Sequence, residues 1–183
     1  MDAAGPPEWQ TRHRQPLASY LARVVVGQQL STRAAQTIWQ RLEALAQARA
    51  LALPSLVLEA PEADLRDCGL SVGKQRALRA LAEADAAGAL EARQLRKLDP
   101  TERARRLCQL RGIGPWTADV TGLFYFRDPD VWPIGDLTVR KTFERYLATQ
   151  TRYDLDSGAA LFTPNRSVLA LYLWRLADAQ PNR

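Results

Sequence analysis

The sequence predicts an all-α fold, and three observations support this prediction. Apolar residues recur at helical spacing along most of the chain, alternating patterns typical of strands are scarce, and Gly or Pro separates the helical segments. The chain has 183 residues, 46% of them hydrophobic, which is enough for one sizeable core or two small lobes sharing an interface. We therefore expect one compact helical unit.

The first two helices are predicted on either side of a short turn. In residues 17–27 the apolar side chains fall on one helical face, and Gly27 closes the segment. Ser31 can cap a second helix, because the apolar residues of 34–45 keep the same spacing. The turn between these helices reads Gly27-Gln28-Gln29-Leu30.

Further helices are marked by capping residues and helix breakers. They are expected at residues 61–67, 71–88, 99–110, 115–126 and 137–148, and from about 163 onward. Ser71 and Asp99 are residue types preferred as N-caps, and Pro100 and Pro115 suit the first helical position. Asp136 stands immediately before the helix at 137–148, where a side-chain cap is also expected.

Charge and composition limit the function classes. The formal net charge is +5, and residues 66–111 carry eleven basic and six acidic residues, an excess as large as that of the whole chain. This distribution suits a nucleic-acid partner, although solvated helix faces would explain it equally well. No uncharged apolar run reaches about 18 residues, so we expect a soluble, cytoplasmic protein without membrane contact.

The metal-binding residue types are few. One histidine and two cysteines exclude a four-ligand zinc site and a cysteine-ligated iron–sulfur cluster. Cys68 and Cys108 could pair in principle, but isolated cysteines in a non-secreted chain are typical of reduced core residues. We expect both to be reduced and buried.

The segment Gly112-Ile113-Gly114-Pro115 is the most informative motif. Two helices joined by so short a Gly-x-Gly connection form a tight hairpin, in which the glycines can take positive φ and leave their N–H groups uncovered. Together with the helix that begins at Pro115, these amides are suited to holding one DNA phosphate. The alternative is an ordinary helix C-cap followed by a turn.

Several separated motifs together resemble one protein family. Residues 110–118 read Leu-x-Gly-Ile-Gly-Pro-Trp-Thr-Ala, and Asp136 follows Gly112 by 24 residues within the segment 133–141. These motifs resemble the helix-hairpin-helix (HhH-GPD) DNA glycosylase superfamily, and within it the 3-methyladenine DNA glycosylase II branch. Further matches lie at 27–31, 69–78 and 166–174, so the likeness spans roughly residues 16–176.

The resemblance implies a two-lobed, all-α fold. After an N-terminal tail at 1–15, the core at 16–183 is expected to divide into two lobes. One lobe would combine residues 16–31 with 119–183, and the other would be a helical barrel of residues 32–118 that includes the hairpin at 110–116. DNA and the extruded base are expected to meet at the cleft between the lobes.

Asp136 has two compatible interpretations. An Asp just before a helix is most often an N-cap. The resemblance implies that this Asp is also catalytic, and the chemistry agrees, since cleavage of a glycosidic bond passes through an oxocarbenium-like state that a fixed carboxylate stabilises. The carboxylate can also orient or deprotonate the attacking water, and a helix N-terminus favours its ionised form.

Trp116 and Trp174 are implied to line the base pocket. Stacking on an aromatic ring suits a purine methylated at N3 or N7, because methylation makes the base cationic. The alternative is that both are core aromatics at helical spacing. In relatives that also cleave the strand, the position of Trp116 holds a lysine that attacks the sugar, and tryptophan cannot do this. We therefore expect a monofunctional enzyme without abasic-site lyase activity.

The resemblance implies the remaining site residues. The turn Gln28-Gln29-Leu30 aligns with the segment that fills the gap left by a flipped base. A Gln can hydrogen-bond the orphaned partner base and a Leu can wedge the stack, and Gln29 is favoured over Gln28. The alternative for Gln29 is a solvated turn residue. DNA contacts are expected from Arg111, Gly112, Ile113, Gly114 and Thr117. A monovalent cation, Na⁺ or K⁺, is expected on the backbone carbonyls of Cys108, Leu110 and Ile113, with no other cofactor.

Two departures from the family pattern bear on function. Gly135 stands where this branch often has a second Asp, which removes one carboxylate and loosens the backbone beside Asp136. The helical core begins near residue 16, so the N-terminal α/β domain common in bacterial members is expected to be absent. The expected partner is duplex DNA with a damaged base, bound by a monomer. The alternatives are a non-catalytic damage-sensing module and a glycosylase for deaminated, mismatched or oxidised bases.

Overall fold

The computed structural model describes residues 15–148 and 154–179. Within these residues the secondary structure is helical, without a strand, which confirms the predicted all-α fold. The helices are α1 (Leu17–Gly27), α2 (Thr32–Ala48), α3 (Leu53–Glu59), α4 (Glu62–Asp67), α5 (Val72–Ala86), α6 (Ala92–Leu95), α7 (Pro100–Leu107), α8 (Pro115–Thr121), α9 (Leu137–Phe143), α10 (Leu155–Ala160) and α11 (Arg166–Asp178). Helices α8 and α9 continue as π-helical turns, Gly122–Phe126 and Glu144–Ala148.

The chain divides into two compact units. The hairpin unit comprises residues 15–117, and the Asp136 unit comprises the described residues from 118 onward. The boundary lies within one residue of the predicted one. The assignment of residues 16–31 to the C-terminal lobe was wrong, because α1 belongs to the hairpin unit, where it packs against α2 and α5. The predicted tail falls almost wholly outside the described residues.

Side-chain caps begin α2, α5 and α7 of the hairpin unit, as predicted. The Ser31 and Ser71 hydroxyls accept hydrogen bonds from the third amide beyond them, at 3.3 and 3.4 Å, and Asp99 accepts the Thr101 N–H at 2.8 Å. Gly69 follows α4 with φ +103°, a conformation that favours glycine. The short helices α3 and α6 were not predicted, nor was α10 of the other unit, since too few turns are present to show a periodic apolar face.

The core of the Asp136 unit forms where α9 packs against α11. Val139 and Phe143 of α9 are fully buried. On α11, Ala170 is fully buried and Leu173 is nearly so. Burying such apolar side chains contributes about 1.5–3 kcal/mol each for the larger ones. This packing holds the N-terminus of α9, and therefore Asp136, against the helix that carries Trp174.

The structure also bears on the expectations for the two cysteines and for membrane-spanning helices. Both cysteines are reduced, as predicted, but only Cys68 is buried, whereas Cys108 at the end of α7 is exposed, so its predicted place in the core was wrong. None of the helices in the described residues is long and apolar enough to cross a bilayer.

Candidate active site and DNA-binding hairpin

The hairpin between α7 and α8 depends on a single glycine with positive φ. Gly112 has φ +83°, and a Cβ atom at this position would lie 2.4 Å from the Cβ of Ala77 on α5. Gly114 does not have a positive φ, and a Cβ there would meet nothing within 4 Å. The expected glycine conformation is therefore present at Gly112, which both the backbone and the neighbouring helix restrict to glycine.

The hairpin amides differ in whether they are available to a ligand. Ile113 donates its N–H to the Leu110 carbonyl at 3.1 Å, and its side chain is buried. Within the described part of the chain no carbonyl accepts the amides of Gly112 and Gly114, and both residues are exposed. The side of the hairpin able to meet a phosphate is therefore made of these two glycines and the exposed Arg111. Ile113 supports the turn from within, and its predicted DNA contact stays a prediction.

Thr117 serves the interior of the hairpin unit. Its side chain is only 2% exposed, and its hydroxyl accepts a hydrogen bond from Gln28 Nε2 at 3.0 Å. The hydroxyl is thus used within the hairpin unit, and the predicted DNA contact of Thr117 stays a prediction. Gln28 also donates to the Gly112 carbonyl at 3.1 Å, so it links the turn between α1 and α2 to the hairpin. The sequence placed Gln28 in the turn that resembles an inserting segment and favoured its neighbour Gln29, but it did not predict these contacts with the hairpin.

The predicted wedge residues lie at the tip of that turn. Gln29 is exposed and has φ +58°, an uncommon conformation for a residue other than glycine. Leu30 is 40% exposed, a large fraction for a leucine. Their location on an exposed turn suits insertion into a duplex.

Asp136 occupies the N-cap of α9, as predicted. Its Oδ1 accepts the Val139 N–H at 2.9 Å and the Trp174 Nε1–H at 3.1 Å, and the residue is only 9% exposed. Two donors on one oxygen fix the orientation of the carboxylate. A buried and oriented carboxylate at a helix N-terminus is suited to stabilising a cationic transition state.

Trp174 packs within the Asp136 unit, in agreement with the core alternative, and its place in a base pocket stays a prediction. Its ring stacks on Phe124, with centroids 5.5 Å apart and an interplanar angle of 28°, and it packs against the apolar core of the Asp136 unit. One face of the indole is therefore used within the protein, while the residue stays half-buried. Phe124 was not singled out from the sequence, where it is one of three consecutive aromatic residues. Trp116, also half-buried, belongs to the hairpin unit.

The loop that leads to Asp136 is fastened to the start of α11. Ser167, fully buried, donates to the Asp128 carbonyl at 2.6 Å and accepts the Val131 N–H at 2.9 Å. Arg166 makes a two-pronged ion pair with Asp130, Nε to Oδ1 at 2.7 Å, which lowers the pKa of the Asp130 carboxyl. Arg166 and Ser167 of α11 thus hold the first part of the loop, and Trp174 of the same helix holds Asp136, where the loop ends. Arg166 and Ser167 belong to the segment that matched the family pattern, and these contacts give both residues a structural role.

Asp119 on α8 provides a prediction on pH dependence. Burial raises the pKa of its carboxyl to about 6, so the folded protein holds a proton more tightly than the unfolded chain between pH about 4 and 6. The free energy of unfolding should therefore fall as pH rises through this window. Over this window the free energy of unfolding of the wild type should fall by about 1–2 kcal/mol more than that of Asp119→Asn, a figure reduced to allow for the partial exposure of the carboxyl. Urea unfolding from pH 4 to 7 measures this, and parallel profiles would contradict it.

Comparisons with known proteins agree with this geometry. Residues 22–157 match the family described as HhH-GPD superfamily base excision DNA repair protein. DNA-3-methyladenine glycosylase 1 of Schizosaccharomyces pombe is 31% identical over 166 residues, which cover 86% of this chain and 72% of that protein.

Two solved structures are similar in fold and sequence. The S. pombe 3-methyladenine DNA glycosylase Mag1, in complex with abasic DNA, superposes with a TM-score of 0.80 at 27% identity, over 97% of this chain and 88% of that one. A DNA-3-methyladenine glycosidase from Bacillus halodurans gives 0.78 at 27% identity, over 93% and 79%. With the family match over most of the chain, these findings confirm the resemblance: the chain belongs to the HhH-GPD superfamily of base excision DNA repair proteins.

Proposed function

We propose that this protein is a DNA glycosylase that removes alkylated purines, of the 3-methyladenine or 7-methylguanine type, and leaves an abasic site. The observation that carries the proposal is the Asp136 carboxylate, almost buried at the N-terminus of α9 and oriented by the Trp174 indole. The names of the S. pombe and B. halodurans relatives support the same substrate class.

DNA binding would begin at the hairpin. The amides of Gly112 and Gly114 can donate to a phosphate oxygen, and Arg111 adds positive charge beside them. A contact of this kind positions the duplex without reading its sequence. Gln29 and Leu30 would then enter the stack where the damaged base leaves it.

The chemical step requires little beyond the carboxylate. A purine methylated at N3 or N7 carries a positive charge, so it departs with the electron pair of the N-glycosidic bond and becomes neutral without a general acid. Positive charge grows on the sugar as this bond breaks, and Asp136 stabilises it. Water adds to C1′, and its proton passes to the carboxylate. Stacking by Trp116, or by the face of Trp174 that Phe124 leaves uncovered, would favour cationic bases.

The proposal is tested by excision assays on defined lesions. The full-length protein is incubated with duplexes that contain 3-methyladenine, 7-methylguanine, hypoxanthine or uracil, and abasic sites are then cleaved with hot alkali. Strand cleavage at the methylated purines is the expected result. Cleavage only at hypoxanthine or uracil would show that the substrates are deaminated bases instead. Binding without cleavage of any duplex would favour a damage-sensing module.

We further propose that the enzyme hydrolyses the glycosidic bond without cleaving the strand. Trp116 stands at the position where the lyase-competent relatives place a lysine, and an indole cannot form a Schiff base with the sugar. Borohydride added during the reaction should therefore trap no covalent protein–DNA adduct, and no strand nicks should form without alkali. A trapped adduct would contradict this prediction, whichever lysine formed it.

We also propose that the hairpin binds a monovalent cation and that the protein is a monomer. The carbonyls of Cys108, Leu110 and Ile113 would hold Na⁺ or K⁺, and the donors suit such an ion because they are uncharged oxygens. Leu110 O accepts one hydrogen bond from Ile113 and retains a second lone pair. Bound there, the ion would add positive charge to the phosphate-binding side of the hairpin.

A further inference from the structure

The turn between α1 and α2 is fastened to the hairpin by one side chain. Gln28 Nε2 donates to the Gly112 carbonyl at 3.1 Å and to the Thr117 hydroxyl at 3.0 Å. These acceptors lie 84 and 89 residues further along the chain, so the contact joins two distant segments of the hairpin unit. The Gly112 amide is left on the exposed side, while its carbonyl holds Gln28.

The backbone of the same turn is held by a lysine of α5. Lys74 Nζ donates to the carbonyls of Val26 at 2.8 Å and Gln28 at 2.9 Å. Burial lowers the pKa of this amine, which agrees with a head group partly withdrawn from solvent. The last carbonyls of α1 are therefore capped by a cation, a favourable arrangement at a helix C-terminus. The next helical turn of α5 brings Ala77 against Gly112.

The exposed tip of the turn follows directly after the fastened residue. Gln29 adopts its left-handed conformation beside Gln28, and the Leu30 N–H closes the turn on the Gly27 carbonyl at 3.2 Å. A left-handed conformation at a non-glycine residue persists only where the surroundings hold it. The side-chain bonds of Gln28 and the Lys74 bond to its carbonyl are such surroundings. The two predicted wedge residues are thus presented on a turn of fixed geometry.

We propose that Gln28 and Lys74 are positioning residues that couple the hairpin to the insertion turn, defined as residues 28–30. A duplex anchored on the hairpin by its phosphate would meet Gln29 and Leu30 at a fixed distance. The energy of phosphate binding then helps to unstack the damaged base. The inference rests on the proposed function in one respect, since it assumes that the bound duplex contains a base to be extruded.

Binding measurements test this coupling without any chemistry. In Gln28→Met the side chain keeps its length and loses its donor. Affinity is measured for an undamaged duplex, which engages the hairpin alone, and for a duplex with an uncleavable tetrahydrofuran abasic analogue, whose gap the insertion turn can fill. We expect affinity for the analogue to fall about tenfold, as two neutral hydrogen bonds imply, and affinity for undamaged DNA to stay within about twofold. Lys74→Met should act in the same direction.

Matched variants control for general effects. Gln47→Met on α2 and Lys97→Met after α6 make the same changes at exposed positions and should alter neither affinity. Equal losses for both duplexes would assign Gln28 to the stability of the hairpin, and no loss for either would remove it from the site. Both outcomes overturn the inference.

Excision provides a second and independent measurement. If the wild type excises a lesion, Gln28→Met should slow excision more from a fully paired duplex than from one with an abasic site opposite the lesion, where extrusion costs less. An equal slowing in both contexts would contradict the coupling. If the wild type excises no lesion while Gln28→Met still loses discrimination in binding, the proposed function fails and the coupling stands.

Discussion

Asp136→Asn is expected to abolish excision of every base that the wild type removes, while affinity for DNA changes little. Asparagine has nearly the same shape, and its carbonyl oxygen can still accept from Val139 and from Trp174. What is lost is the negative charge that stabilises the sugar cation and accepts the proton of water. Removal of a single electrostatic contact of this kind costs at least about 10²–10³ in rate. Single-turnover excision followed by hot alkali measures it.

Asp154→Asn is the matched control for this prediction. Asp154 is also an N-cap of the Asp136 unit, where it accepts the Ser157 N–H at 2.8 Å, but it is exposed. Its substitution should leave excision within about twofold, since capping alone contributes about 1 kcal/mol to stability. If both variants lose activity alike, the capping role would explain the result. An Asp136→Asn variant that keeps more than a tenth of the wild-type rate would remove the catalytic assignment.

The second large effect is expected at Gly112. In Gly112→Ala the new methyl group would lie 2.4 Å from the Ala77 Cβ, and the residue would have to keep a φ of +83°. Steric overlap in a packed site and a left-handed backbone each cost about 1–3 kcal/mol, so the free energy of unfolding should fall by about 2–6 kcal/mol. Affinity for DNA should fall as well, because the hairpin amides move. Urea unfolding and titration with an undamaged duplex measure the two effects.

Two further variants separate the causes at this position. Gly114→Ala changes the other glycine of the motif in open space, and it should cost less than about 1 kcal/mol. Adding Ala77→Gly to Gly112→Ala removes the steric overlap and leaves the backbone strain, so stability should return in part. Equal stabilities of Gly112→Ala and Gly114→Ala would show that the hairpin adapts to a side chain at either position.

Local signals predicted the helices and their caps well. Ser31, Ser71, Asp99 and Asp136 cap helices as expected, because capping depends on a side chain and on amides two or three residues away. The place of α1 was wrong for a related reason. Periodicity shows which face of a helix is buried but not which partner covers it.

The parts of the site that sequence could not supply are long-range contacts. The Trp174–Asp136 hydrogen bond joins residues 38 apart, and the Gln28 contacts join residues more than 80 apart. Neither pair shows a spacing that a local pattern could reveal. Thr117 was predicted as a DNA contact because it follows the hairpin, but its hydroxyl is buried and accepts from Gln28. Asp136 was predicted to be catalytic only because a family pattern joins it to the hairpin.

The hydrogen bond from Trp174 to Asp136 limits how this enzyme can change its substrate. Residues that only contact the base can be exchanged freely, and selectivity then changes without a change in chemistry. Trp174 does not allow such exchange, because a residue without a hydrogen-bond donor at this position would remove one of the two donors that orient Asp136 Oδ1. A change in base selectivity through this position would alter the rate at the same time. Adaptation to new lesions should therefore proceed through other positions, with Trp174 and Asp136 inherited as a pair.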